Sequence, residues 1–150
     1  MEIKSCNVWS VFPLCGKTYS SNKDGIDAID SDSSSYSWIE INGKKERNPD
    51  FPKNYIRHIK DVMINHDYVF VSSHQEVRNA LSQEGISFNL VYPHRNCLDE
   101  WINRYKNREY NGFSLQVLID NWEKWLNELD SQNCERRIIL NENEFLIDKL

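Results

Sequence analysis

The sequence predicts an α/β fold: a three-layer sandwich with helices on both sides of a five-stranded, mostly parallel sheet. Three observations predict it. Apolar, β-prone runs alternate with helix-spaced runs along the whole chain. Asp67 to Ser72 (DYVFVS) is a continuous apolar run, as expected of a central parallel strand. The residues best suited to chemistry fall just after the predicted strands, where such sheets bind ligands.

Each element has its own signal. Residues 3–12 read as the first strand and residues 17–22 as a short helix. Asp27 to Asp30 is a brief second strand ending in a carboxylate. Residues 33–52 are polar, and Asn48-Pro49 and Phe51-Pro52 mark turns. Residues 52–65 place Tyr55, Ile56, Ile59, Val62 and Met63 at helical spacing. After the third strand at 67–72, residues 74–84 set Val77, Ala80 and Leu81 on one helix face, with Gly85 as cap. Residues 87–92 form a strand ended by Pro93. Helices follow over Leu98–Arg108 and Ser114–Leu129, the second with a core face that includes Trp122, Trp125 and Leu129. Arg137–Leu140 is the last strand, and Glu144–Leu150 closes the chain as a short turn or helix.

Bulk properties narrow the function classes. The 150 residues read as one domain over 1–150, long enough for a sizeable core. A net charge of −5 argues against a general nucleic-acid binder, while local arginines and lysines can still hold a small anion. The four cysteines form no CxxC pair and read as reduced thiols; no apolar run reaches the length of a membrane span. The expected location is therefore cytoplasmic, with no membrane partner and a monomer or homodimer as the working unit.

The sharpest motif is Val11-Phe12-Pro13-Leu14-Cys15-Gly16-Lys17-Thr18. It follows the phosphate-loop pattern G-x-x-x-x-G-K-[ST] at its last three positions, but valine replaces the first glycine and Leu14 stands where many kinases carry another. A phosphate chain needs several backbone N–H donors aimed at one spot, with a helix N-terminus behind them. Pro13, Leu14, Cys15 and Gly16 would supply that loop, Lys17 a mobile charge, and Thr18 a hydroxyl for Mg²⁺. The plain alternative is an ordinary strand–turn–helix corner, with the Val11 Cβ crowding the turn.

Asp30-Ser31-Asp32 is the second constellation. Two carboxylates just past a strand can reach the loop, one serving Mg²⁺ and the other an acceptor hydroxyl. A turn or helix cap explains the same residues more simply.

Strand, loop, Gly-Lys-Thr, helix, then a strand ending in D-x-D resembles the small P-loop kinases, including shikimate, gluconate and nucleoside monophosphate kinases. The whole also resembles phage-encoded (deoxy)nucleoside monophosphate kinases, which would place it in the cytoplasm of a bacterial host. The resemblance implies a P-loop NTPase-type sandwich with a helical lid at about 94–112. It implies an ATP- and Mg²⁺-dependent phosphotransferase acting on a nucleoside or deoxynucleoside monophosphate. Thr18 and Asp30 would serve the metal, and Asp30 and Asp32 the acceptor. The segment Val69 to Leu81 is similar to its counterpart in gluconate kinases. Arg104 and Arg108 look like lid arginines that join Lys17 and Asp32 in catalysis.

Further candidates stand beside these. Arg47, Ser73, His74 and Arg78 are placed to bind an anionic acceptor, and Arg95 is a third possible phosphate contact. Arg104 and Arg108 share a helix face and could instead pair with Asp99 or Glu100. A protein of another class, a non-catalytic nucleotide binder or partner-blocking protein with a degenerate loop, remains the alternative reading.

Overall fold

The computed structural model describes residues 6–108, 110 and 112–150. Five strands form one parallel sheet: β1 (Val8–Val11), β2 (Ala28–Ser31), β5 (Tyr68–Ser72), β6 (Asn89–Pro93) and β7 (Arg137–Leu140). Their order is β2-β5-β1-β6-β7, and every neighbouring pair is parallel. The expectation of a mostly parallel five-stranded sheet is met. The central strands are β-branched and aromatic, and Val8, Val69, Phe70, Val71, Leu90 and Val91 are fully buried. That is the signature of a sheet covered on both faces.

The helices supply the cover. They are α1 (Lys17–Ser21), α2 (Ser34–Ser37), α3 (Lys53–Val62), α4 (Gln75–Gln83), α5 (Leu98–Arg108) and α6 (Leu115–Asp130). Short 3-10 turns occupy Arg95–Cys97 and Leu146–Lys149. In α3 the spaced residues Tyr55, Ile56 and Ile59 are buried, and in α4 Val77, Ala80 and Leu81 are. Helix α3 packs on α4, whereas α1 packs on the C-terminal 3-10 turn. Ser114 caps α6, its hydroxyl accepting from the Val117 N–H at 3.2 Å.

Two expectations need correction. The stretch read as polar turns holds α2 and an antiparallel hairpin, β3 (Trp38–Ile41) with β4 (Lys44–Arg47). Its strands are almost wholly exposed, so no buried face imposed a hydrophobic pattern. The local signal was Asn42-Gly43, both at positive φ in the turn. Second, the strand expected over 3–12 is described only from Val8, and residues 3–5 lie outside the described residues.

The segment expected as a lid, about 94–112, packs on the body of the domain through α5. Trp101 of α5 is fully buried and α5 packs against α6. Only the last turn of α5, with Arg108, reaches the end of the sheet where the candidate residues gather. Glu109 and Asn111 of that segment lie outside the described residues.

Candidate functional site

The loop from β1 to α1 is held through its carbonyls. Three successive carbonyls are held by donors from distant elements. The Trp101 indole donates to Pro13 O at 3.0 Å, Arg104 Nη1 to Leu14 O at 2.9 Å, and the Leu146 N–H to Cys15 O at 2.8 Å. In a trans peptide the N–H points away from its carbonyl. Fixing those three carbonyls therefore turns the N–H groups of Leu14, Cys15 and Gly16 the other way. Leu14 (φ 66) and Gly16 (φ 92) are both left-handed, the alternation that curls successive amides into an anion-binding nest.

The two departures from the glycine pattern have unequal consequences. Val11 is an ordinary strand residue, paired with Ser72 and Val91 and fully buried. Its Cβ belongs to the core and does not crowd the turn. Leu14 is the strained position, holding positive φ with a side chain that is itself buried. Such a conformation costs on the order of 1–3 kcal/mol and persists only where its surroundings enforce it. Here the Arg104 bond to its carbonyl does so.

A cavity of about 140 Å³ opens against this loop. Lys17, Thr18, Asp30, Asp32, Ser73, His74 and Arg108 line it together with Pro13 and Leu14, so the structure brings these predicted residues to one place. Strand ends position most of them: β2 delivers Asp30 and β5 delivers Ser73 and His74. The Thr18 hydroxyl donates to Asp30 Oδ2 at 3.0 Å and accepts from Arg108 Nη2 at 3.3 Å. Asp30 Oδ1 is buried and has no hydrogen-bond partner among the described residues. An ionised carboxylate oxygen left so is costly unless a cation or donor meets it. Asp32 Oδ1 accepts from the Ser34 N–H at 2.9 Å, the turn role expected of it, which leaves Oδ2 for other work.

A second polar layer fixes these carboxylates. Tyr55 donates its hydroxyl hydrogen to Ser31 O, and Ser31 Oγ lies 2.9 Å from His58 Nε2. Ser72 donates to Ser33 Oγ at 2.9 Å. The strand segment between Asp30 and Asp32 is thus held from α3 and β5.

The electrostatics favour an anion. The His74 pKa is lowered, first by desolvation although its surface is exposed, then by Lys17, Arg47 and Arg78, with Asp32 opposing. Two positive groups, Lys17 and Arg108, line the cavity at the loop of an acidic protein. No described residue forms an ion pair with Lys17 or Arg108.

Other predicted residues stand further off. Arg104 is braced, with little exposure. Its guanidinium lies over Trp101 at 3.8 Å and Phe145 at 4.0 Å, pairs with Glu100 at 2.8 Å, and also bonds to Glu144 O. It acts on the loop from behind. Arg47 pairs with Glu76 and lies over Trp38 and Phe51 on the exposed hairpin. Arg78 is buried beside a neighbouring cavity, and Arg95 pairs with Asp130 away from the loop. Cys15 is buried, which pushes its thiol up to about 12, so it is an inert part of the loop.

Beside the loop lies a wider space of about 780 Å³, lined by Gly16, Tyr19, Asn107, Arg108, Phe145 and Ile147 among others. Sequence reasoning missed this C-terminal wall and the Trp101 and Leu146 donors. A backbone N–H some 130 positions away leaves no trace in residue identities. Among the described residues no group of three or more His, Cys, Asp or Glu side chains could hold a metal ion by itself. No protein-family model and no curated protein matches the chain.

Proposed function

We propose that this chain is an ATP- and Mg²⁺-dependent phosphotransferase whose acceptor is a nucleoside or deoxynucleoside monophosphate. The observation that carries the reading is the pinning of three successive loop carbonyls by distant donors, next to Lys17, Thr18 and Arg108; it supports an amide nest over Leu14 to Gly16. The all-parallel sheet is compatible with a P-loop-type sandwich, and the nest lies at its carboxyl end.

The residues divide the work as follows. The amides of Leu14 to Gly16 and the Lys17 ammonium receive the donor phosphates. The donor nucleoside fits the wider space beside Tyr19 and Phe145. Thr18 and the unpartnered Asp30 Oδ1 would hold Mg²⁺, which supplies charge neutralisation on the phosphates when bound. In transfer, an acceptor oxygen bonds to the γ-phosphorus while the bond to the β–γ bridging oxygen breaks and ADP leaves with that electron pair. Arg108 stabilises the charge on the transferring group. A phosphate acceptor brings an anionic nucleophile and needs no base; for a hydroxyl acceptor, Asp32 Oδ2 would take the proton.

The second reading, a binder without turnover, has one observation in its favour: Arg108 and Asp30 already occupy the Thr18 hydroxyl. Coupled ADP release over nucleoside monophosphates, deoxynucleoside monophosphates, sugars and shikimate-like acids separates the two. Acceptor-dependent release that falls about a hundredfold or more in Arg108→Ala is expected. Tight ATP binding with no release above background for any acceptor would favour the binder.

A further inference from the structure

A second cavity, of about 280 Å³, lies between the start of α4 and α6 and adjoins the first at Pro13, Ser73 and His74. Neither the donor phosphates nor the donor nucleoside accounts for it. Its walls are aromatic. Phe113 and Trp125 meet edge to face with centroids 5.4 Å apart, and Phe12 meets Trp125 at 6.3 Å. Such walls suit a flat ring.

Its charged groups are Arg78, Lys124 and Glu128, and among the described residues no ion pair joins them. Arg78 is 4% exposed. Its Nε donates to Ser73 O at 2.8 Å and Nη1 to Gln132 Oε1 at 2.6 Å, both neutral acceptors. Among the described residues no carboxylate pairs with it, although Glu128 lines the same cavity. A buried guanidinium is costly to leave without an anionic or strong neutral acceptor. Arg78 Nη2 and the Glu128 carboxylate have no hydrogen bond to a described residue, and both residues line this space as well as the neighbouring one beside Gln132.

A ring that satisfies both must carry an acceptor for Arg78 and N–H donors for Glu128. Uracil and thymine offer one N–H between two carbonyls. Adenine and cytosine offer a single amino group. Guanine sets N1–H and the N2 amino group side by side, matched to a carboxylate, with O6 next to them for a guanidinium. The volume is near the lower end of ordinary ligand pockets, about 300–1,000 Å³, so it suits a base with part of its ribose.

We infer that the cavity between α4 and α6 binds the base of the acceptor and selects guanine, through Glu128 and Arg78. This rests on reading the adjoining cavity as the site of phosphoryl transfer. A base held here directs its 5′-phosphate past Ser73 and His74 toward Lys17 and Asp32. Glu128 and Arg78 are then specificity residues.

The test is equilibrium binding of GMP, AMP, CMP and UMP, followed by calorimetry and by the fluorescence of Trp125, with wild type and Glu128→Gln. Mg·ATP is titrated separately into both. GMP should bind about tenfold or more tighter than the other three. Glu128→Gln should abolish that preference and leave Mg·ATP affinity unchanged. Equal affinity for the four, no binding of any of them to a protein that binds Mg·ATP, or a preference that survives Glu128→Gln would each overturn the pocket. Guanine selectivity in a protein that fails to bind Mg·ATP would support the pocket and defeat the phosphotransferase reading.

Discussion

At the scale of single residues, Val11 and Leu14 depart from the glycine pattern with unequal consequences. Val11 ends a strand, where any β-branched residue fits, and its side chain contributes to the core. Leu14 takes the left-handed turn that glycine would take freely, and bonds from elsewhere hold it there. The identities of Lys17, Thr18 and Asp30 were legible because their chemistry is written in the side chain. The Leu14 strain was not, because it follows from a donor on another helix. His74 gives the residue-scale prediction. Its folded pKa lies below the ordinary 6.5. The contribution of its neutral ring to stability is therefore fully present above pH 6.5 and declines as pH falls from there through the lowered folded value. Lys17→Ala removes a cation that disfavours the imidazolium, so the His74 pKa followed by NMR should rise toward 6.5 while desolvation keeps it from passing that value. A fall, or no change, would show that Lys17 does not face this cavity.

At the scale of elements, α5 does more than the sequence displayed. Its helical span over Leu98–Arg108 was legible in the sequence, but its support of the loop was not. Buried Trp101 and braced Arg104 make it the support of the loop, with only its last turn reaching over the cavity. Arg104 joins three parts: it stacks between Trp101 and Phe145 and bonds to Leu14 O and Glu144 O. Removing it leaves carbonyls without a donor and two aromatic faces without a cation. Arg104→Ala should lower the unfolding free energy by about 2–4 kcal/mol, read by urea denaturation. Arg104→Lys should recover little of that, because a single ammonium cannot reproduce the planar fork. Full recovery by lysine would mean that charge alone matters there. The hairpin β3–β4 taught the opposite lesson. It packs too little to leave a hydrophobic pattern, and only Asn42-Gly43 announced it.

At the scale of the molecule, the order of strands and helices was legible because each buried strand is a continuous apolar run and each covering helix carries a periodic stripe. What the chain could not display is how ends far apart in sequence close around one point. The C-terminal turn supplies a donor to Cys15 O and walls the wider cavity, and β5, α4 and α6 bring Ser73, His74, Arg78 and Glu128 to the adjoining cavity. An acidic chain with net charge −5 thereby gathers Lys17, Arg78 and Arg108 at the carboxyl end of its sheet. The central claim is that this end holds the phosphates of a nucleotide through the amide nest and Lys17. Calorimetric titration of Mg·ATP into wild type and Lys17→Ala tests it most directly. The account predicts saturable one-to-one binding that weakens about tenfold or more when the ammonium is removed. Equal affinity in the two proteins, or no binding to wild type, would contradict it.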